Sequence, residues 1–195
     1  MIRTSGFTIM GTEAEILALS GNSYIISAFT TDTGRHLMWN GSTWENAGVP
    51  FTAVTADDVS TGANVNPVDL TGLVWSYIAN SIYTFKFYGE VLPAAATTGC
   101  GFQLNVSAAV TAINMAFFHQ LANTGTLSGG SSRADDASVG VSSGMDSNAT
   151  PTTIIGHGIL RTGANAGTAQ LRFRSETTHV TTAKAGFALI VEKVK

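Results

Sequence analysis

The fold is decided by the run at residues 82–88, Ile82-Tyr83-Thr84-Phe85-Lys86-Phe87-Tyr88. Successive side chains of a β-strand point to opposite faces of a sheet, so the aromatic rings at positions 83, 85 and 87 share one face. The same alternation of apolar and polar residues recurs at residues 102–107 and 170–174. These runs predict strands that turn one face toward a hydrophobic core.

Working outward, similar apolar runs fill residues 73–195 and are separated by turn residues such as those at 163–167. No helical pattern of about 10–15 residues lies between them, which argues against a parallel βαβ sheet. The sequence therefore predicts an all-β fold, an antiparallel β-sandwich of the jelly-roll kind, with another antiparallel sandwich as the alternative. The residues expected in its core are Phe85, Phe87, Leu104, Leu171, Phe173 and Leu189.

Residues 1–50 predict a smaller β-unit. Thr12, followed three residues later by Glu15, fits a capping box, so one helical turn is expected there. Residues 23–45 then predict a three-stranded β-meander, with Asn40-Gly41 at the tip of its last hairpin. The expected miniature core of this unit consists of Tyr24, Phe29, Trp39 and Trp44.

A connector is expected at residues 51–72, because glycine, proline and asparagine recur there at close intervals. The predicted organisation is a small N-terminal attachment module at residues 1–50, the connector at 51–72, and the sandwich at 73–195.

Two predicted strands, residues 82–88 and 187–191, carry apolar side chains on both faces. A strand with one solvated face alternates cleanly, so the second apolar face needs a cover. The cover is either a loop of the same chain or a neighbouring subunit. Because the last strand is also expected at an exposed sheet edge, a closed homotrimer is favoured. The residues predicted to lie in the subunit interface are Ile82, Tyr88, Ala188 and Ile190.

The composition also favours an assembly. Charged residues make up 12% of the chain and its mean hydropathy is +0.20, whereas an average soluble domain has about 25% charged residues. A polar Ser/Thr/Asn coat on a monomer is the alternative. The net charge of −3 and the scattered basic residues exclude a nucleic-acid-binding footprint. No run of about 18 apolar residues predicts a membrane span.

One cysteine, Cys100, rules out an intrachain disulfide, and the first residues lack the apolar run of a signal peptide. Folding in a reducing cytoplasm is therefore expected. Cys100 itself lies between two glycines and is interpreted either as a small packing residue or as an exposed bystander.

No motif predicts catalysis. Residues 140–144 fit the G-x-S-x-G pattern around Ser142, but that pattern marks a nucleophile only between a strand and a helix of an α/β sheet. In a Gly/Ser-rich loop of a β-protein it is expected to be turn chemistry. The protein is therefore predicted not to be an enzyme, and no cofactor is expected.

No metal centre is predicted either, because none of the histidines has the spacing of metal ligands. These histidines are His36, His119, His157 and His179. The loop expected at residues 122–150 is interpreted as a solvated acidic loop, with oxygen ligands for a cation as the alternative. The residues concerned are Asp135, Asp136, Asp146 and Asn148. Trp39 and Trp44 flank a tight turn and offer either a small core or a platform for sugar rings.

Two stretches carry a resemblance to a known group. Residues 31–44, Thr31-Asp32-Thr33-Gly34-Arg35-His36-Leu37-Met38-Trp39-Asn40-Gly41-Ser42-Thr43-Trp44, resemble a segment of tailed-phage fibre and head-decoration proteins. In those proteins the segment follows a start similar to Gly11-Thr12-Glu13-Ala14-Glu15. Residues 158–173 resemble the C-terminal jelly-roll modules of phage structural proteins.

The resemblance implies a tailed-phage virion accessory protein of the capsid cement, decoration or head-fibre type. It implies a homotrimer that is made in the bacterial host cytoplasm, takes its place in the virion and has the major capsid protein as its partner. The function expected is a cement protein that binds the outer capsid and stabilises it. The alternative is a receptor-binding fibre or tail module that recognises host surface glycans.

Overall fold

A computed structural model describes residues 3–5, 8–19, 27–31, 36–39, 44–46, 51–121, 126–132, 140–141, 144–145 and 149–194. The chain forms two compact units, Met1–Val49 and Pro50–Lys195. The described residues include no helix with the length and hydropathy needed to cross a bilayer.

Among the described residues, the first unit contains a sheet of five strands that follow chain order. Its elements are β1 (Arg3–Ser5), β2 (Thr8–Gly11), α1 (Glu13–Leu17), β3 (Ser27–Thr30), β4 (His36–Trp39) and β5 (Trp44–Asn46). Neighbouring strands are antiparallel except β2 and β3, which run parallel and are joined through α1. The predicted meander corresponds to β3, β4 and β5, whereas β1 and β2, which precede it, carry no strand pattern in the sequence.

The helix begins at the predicted capping box. The hydroxyl of Thr12 accepts a hydrogen bond from the Glu15 amide, and the Glu15 carboxylate accepts one from the Thr12 amide. This arrangement satisfies two of the amide groups that a helix leaves without partners at its start. The unit's core contains Ile16, Ala28 and Leu37, with Leu19 and Trp44 packed against it.

Only part of the predicted miniature core falls on described side chains. Trp44 packs on the core, and its indole Nε1 donates to the Leu19 carbonyl at 3.0 Å. Tyr24 and the Asn40-Gly41 turn lie outside the described residues, as do the side chains of Phe29 and Trp39.

The second unit is an antiparallel β-sandwich, jelly-roll-like, as predicted. Its strands are β6 (Phe51–Val54), β7 (Val59–Ser60), β8 (Val68–Tyr77), β9 (Ile82–Pro93), β10 (Cys100–Val106), β11 (Val110–Leu121), β12 (Thr126–Ser132), β13 (Gly140–Val141), β14 (Thr152–Thr162), β15 (Gly167–Ser175), β16 (Thr181–Ala183) and β17 (Ala188–Lys193). A four-stranded sheet has the order β13-β10-β15-β8, and a larger sheet has the order β12-β11-β14-β9.

On its far edge β9 pairs with two strands in succession. Residues 91–93 pair with β16, which pairs in turn with β7, and residues 83–88 pair with β17, which pairs with β6. The last strand is therefore flanked on both sides, and the expectation that it forms an exposed edge is wrong.

The core lies between the inner faces of the two sheets, and all six residues predicted for it are buried. Phe102 lies at its centre, with its ring centroid 5.1 Å from that of Phe87 and 5.0 Å from that of Phe117. Phe173 and Phe187 complete this aromatic cluster. Period-two alternation thus places the core correctly.

The structure corrects the predicted connector at residues 51–72. β6 and β7 pair with strands of the large sheet, and β8 already begins at Val68. The segment between β6 and β7 is also bonded to the sandwich. The Thr55 amide donates to the Phe187 carbonyl at 2.9 Å, and the Asp58 carboxylate accepts hydrogen bonds from the Lys184 ammonium and the Ala185 amide. The turn residues that suggested a linker instead separate very short strands.

A β-bulge explains why the start of β8 was missed. Arg172 lies opposite Asp69 whereas Gln170 lies opposite Val74, so β8 holds several extra residues between these pairs. Gly72 has a φ of 87° there, a conformation that glycine adopts without steric cost. Because the extra residues shift the alternation, the sequence shows a break at Gly72 instead of a continuous strand.

Candidate interaction surface

The G-x-S-x-G sequence does not lie in the setting of a nucleophile. Gly140 and Val141 form the short strand β13, which pairs antiparallel with β10. The next described residues, Gly144 and Met145, are not helical. The serines themselves, Ser142 and Ser143, lie outside the described residues, so the structure gives no geometry for them.

The candidate metal ligands are not brought together where the structure describes them. His119 is buried, His157 is exposed on the large sheet, and the Nδ1 of exposed His179 lies 3.0 Å from the Thr177 hydroxyl. Within the described part of the chain, no three His, Cys, Asp or Glu side chains cluster as metal ligands would. The His36 side chain and four residues of the predicted loop, Asp135, Asp136, Asp146 and Asn148, lie outside that part. The prediction of a loop over residues 122–150 is wrong where β12 and β13 form.

Cys100 is buried in the sandwich core, which fits its interpretation as a small packing residue. The densest basic pair, Arg172 and Arg174, holds the loop before β8 in place. Arg172 pairs with the Asp69 carboxylate at 2.8 Å and donates to the Pro67 carbonyl, and Arg174 donates to the Val65 carbonyl. These cations therefore serve the fold.

The outer face of the large sheet carries the most distinctive surface. Five residues on five adjacent strands lie directly opposite one another and form a continuous line across the sheet. We call this line the apolar row, and in spatial order its members are Phe118, Ile155, Tyr88, Ala188 and Val54.

The apolar row is open to solvent. Phe118 is 44% exposed, Ile155 60%, Tyr88 47% and Val54 55%. Ala188 is 4% exposed because the larger side chains on either side flank it. Large apolar side chains are common on protein surfaces singly, whereas a contiguous line of them is typical of surfaces that contact another molecule.

The row includes half of the predicted interface. Tyr88 and Ala188 belong to it. Ile190, half-buried, lies one step further along β17 on the same face, opposite Lys86. Ile82 lies six residues from Tyr88 along β9, about 20 Å away, and opposite Arg161. Ile82 is therefore not brought to the row.

Three members of the row, Phe118, Ile155 and Val54, were missed in the sequence. A signal for two of them exists, because Phe117-Phe118 and Ile154-Ile155 are consecutive apolar residues within strands. Two such neighbours must point to opposite faces, so one of each pair lies outside the core. Val54 carries no such signal, because its strand lies in the stretch predicted as a connector.

Polar and charged side chains flank the row. On β9, Lys86 precedes Tyr88 by two residues and Glu90 follows it by two, and all three are exposed on the same face. His157 lies opposite Lys86, and its ring stacks on Phe118 with centroids 6.3 Å apart. The surface is thus an apolar line with a cationic flank and an anionic flank.

Comparison with known proteins gives little more. No family model and no curated protein sequence matches the chain. Among solved structures, it is similar to carbohydrate-binding modules from the β-sandwich superfamily, at 10% identity and a TM-score of 0.27, covering 78% of this chain and 72% of that one. It is similar to the CBM22-1 and GH10 modules of a Clostridium thermocellum xylanase at 8% identity and a TM-score of 0.25, covering 75% of this chain and 25% of that one.

A viral protein is also among the similar structures. The VP2 subviral particle of infectious bursal disease virus matches at 10% identity and a TM-score of 0.21, over 78% of this chain and 41% of that one. At these TM-scores the similarities carry no argument about function.

Proposed function

We propose that this protein is a non-enzymatic structural component of a tailed-phage virion, a cement or decoration protein that binds the outer capsid and stabilises it. The protein works as a homotrimer, and its other partner is the major capsid protein. The resemblance of residues 31–44 and 158–173 to phage structural proteins supports the virion assignment.

The observation that carries the structural role is the apolar row. A line of large apolar side chains across an antiparallel sheet, each 44–60% exposed apart from Ala188, gains stability when another protein covers it. The low charge of the chain, 12%, fits a subunit that buries uncharged surface in an assembly.

The work of such a protein is adhesive. The small unit Met1–Val49 is the attachment module in this proposal, and the sandwich Pro50–Lys195 associates with its copies. A trimer that contacts several capsid subunits at once binds the capsid more tightly overall than a single copy would. After the first contact has formed, the other contacts form at high effective concentration. The assembly would thereby resist the outward pressure of packaged DNA.

The direct test compares virions of the encoding phage with and without this chain. We expect density maps to show its trimers on the outer surface of the head, and heads that lack it to release DNA at a lower temperature. Added purified protein should restore both features. Virions in which the chain is absent, or in which it lies inside the head, would contradict the proposal.

A second function is favoured by one specific observation. Tyr88 and Phe118 are exposed aromatic side chains on a sheet face beside polar groups, and such rings can stack on sugar rings. This arrangement favours a receptor-binding module for host surface glycans. Density at the tail tip, together with glycan binding that Tyr88→Ala abolishes and Ser76→Ala leaves intact, would select this function instead.

A further inference from the structure

We infer that the occupant of the apolar row is this chain itself, in a closed trimer whose three-fold axis runs parallel to the row, with Lys86 of each copy beside Glu90 of the next. The inference rests on the homotrimer of the proposed function and deepens it, because it names the surface, the direction of the axis and the charged contact.

The argument starts from the positions of the charges on β9. Strand residues rise by about 3.4 Å each, so Lys86 and Glu90 lie about 7 Å from Tyr88 on opposite sides of the row. His157 lies beside Lys86 on its flank. Glu90 has Thr153 on one side and Lys184 on the other, and the Lys184 ammonium is paired with Asp58, so this flank keeps its negative charge. Neither Lys86 nor Glu90 has an ion-pair partner of its own chain among the described residues.

The surface therefore carries both halves of a charge pair, separated by an apolar line. A partner of uniform charge would match one flank and be repelled by the other. A second copy of the chain offers an apolar row for the row, a cation for the anion and an anion for the cation. This self-complementarity is what points to a copy as the occupant.

Symmetry then selects the direction of the axis. Rotation leaves each atom's height along the axis unchanged. If the axis ran parallel to the strands, the three Lys86 side chains would form a ring at one height and the three Glu90 side chains a ring at another. Like charges would then face each other across the axis.

An axis parallel to the row gives the opposite result. Lys86 and Glu90 lie on the same strand and therefore at the same height, on the two flanks of each copy. Going round the axis, the cationic flank of one copy meets the anionic flank of the next, and the third copy closes the ring. Ile155 and Tyr88 of all three copies then face the axis, where they are withdrawn from water.

Light scattering and sedimentation of the full-length chain test this geometry. The parent protein should have the mass of three chains at tens of micromolar. Lys86→Glu and Glu90→Lys should each raise the dissociation constant at least tenfold, because each places like charges at every contact. The double variant Lys86→Glu/Glu90→Lys should restore the trimer, because the pair is reversed as a whole. Ser76→Lys, exposed on the four-stranded sheet, is the control and should remain trimeric.

Circular dichroism and melting of each variant show whether it is folded, so that dissociation is not confused with unfolding. A parent protein that is monomeric or dimeric overturns the inference, as do single variants that remain trimeric or a double variant that does not recover. A trimer that is found in no virion would overturn the proposed function and leave this inference standing.

Discussion

The ring of Phe87 occupies the space that a side chain at Gly156 would need. The two residues lie opposite each other on β9 and β14, and a Cβ atom built on Gly156 would lie 2.0 Å from the Phe87 Cζ atom. Phe85 stands in the same relation to Gly158, at 2.3 Å from its Cζ atom. The aromatic core therefore requires glycine at these two positions, because any larger residue would occupy the space of a phenylalanine ring.

Gly156→Ala should consequently destabilise the sandwich. The added methyl group forces the Phe87 ring out of its position, and overpacking of this kind costs about 1–3 kcal/mol. Urea denaturation should show the lower free energy of unfolding. Ser76→Ala, exposed on the four-stranded sheet and away from the apolar row, is the control and should change stability by less than about 0.5 kcal/mol. Equal stabilities of the Gly156 variant and the parent would mean that the ring lies elsewhere.

Gly72→Ala tests the bulge in β8. A φ of 87° at Gly72 is unfavourable for residues with a Cβ atom, and the strain costs about 1–2 kcal/mol. The nearest atom to the new Cβ, the Val54 carbonyl oxygen, would be 3.9 Å away, so backbone strain and not crowding is the cause. The melting temperature should fall, whereas Ser76→Ala in the same strand should melt like the parent. An unchanged melting temperature would show that the bulge has a different backbone.

Gln170 should prove important for the same bulge. Its side-chain Nε2 lies within hydrogen-bonding distance of the carbonyl oxygens of Leu70, Leu73 and Leu171, at 2.9, 3.1 and 2.8 Å. Gln170→Ala leaves these acceptors without their donor and should lower the free energy of unfolding by about 1–3 kcal/mol. At neutral pH, Gln170→Glu should lower the free energy of unfolding at least as much as Gln170→Ala, because a carboxylate cannot donate a hydrogen bond to these carbonyls.

A double-mutant cycle provides the check on this assignment. Gly72→Ala and Gln170→Ala act on one local structure, so the cost of the double variant should be smaller than the two single costs combined. Strict additivity would indicate that Gln170 and Gly72 stabilise unrelated parts of the sandwich.

The Asp58 carboxylate should make stability depend on pH in the acid range. Its hydrogen bond from the Lys184 ammonium, and next that from the Ala185 amide, hold the pKa of Asp58 below its ordinary value. A lowered pKa in the folded state means that the stabilisation is present above the ordinary value of about 4 and is lost as the pH falls through the folded-state value. The parent should therefore melt above Asp58→Asn at neutral pH, and the two melting temperatures should converge as the pH falls below the ordinary pKa of an aspartate and through the lower folded-state value.

Asp57→Asn is the matched control, since Asp57 is the exposed neighbouring acid. The melting temperature of Asp57→Asn should fall in acid by as much as that of the parent. A gap between parent and Asp58→Asn that stays constant over the whole range would show that the charge of Asp58 is not responsible.

The sequence predicted the parts of the fold that depend on alternation within one strand. Phe85, Phe87, Leu171 and Phe173 lie in the core because every second residue of a strand faces the same way. The capping box at Thr12 was equally local. By contrast, the alternation of β8 is shifted at Gly72, and strands as short as β7 leave no periodic pattern, so residues 51–72 resembled a linker.

The apolar row, the candidate interaction surface, was harder to predict because it depends on register between strands. That Ile155 lies between Phe118 and Tyr88 follows from how β14 pairs with β11 and β9, which no single strand reveals. The alternation within single strands therefore predicted Tyr88 and Ala188, which lie in the row, and Ile190, which lies one step beyond it. It also predicted Ile82, which shares the face but lies far along it.

The flanked position of β17 has a consequence for how the sandwich is assembled during synthesis. In the described part of the chain, β6 pairs only with β17, so the earliest strand of this unit depends for its place on the latest. Until residues 188–193 leave the ribosome, the edge of β9 that they will cover is open and β6 has nothing to join. Pairing of such distant segments is slow, and the nascent chain must stay unaggregated with that edge bare. We therefore expect the pairing of β17 to be the last step in folding of the sandwich. Chains in which this step is delayed or fails should aggregate, so the rate of this step should limit the yield of soluble protein.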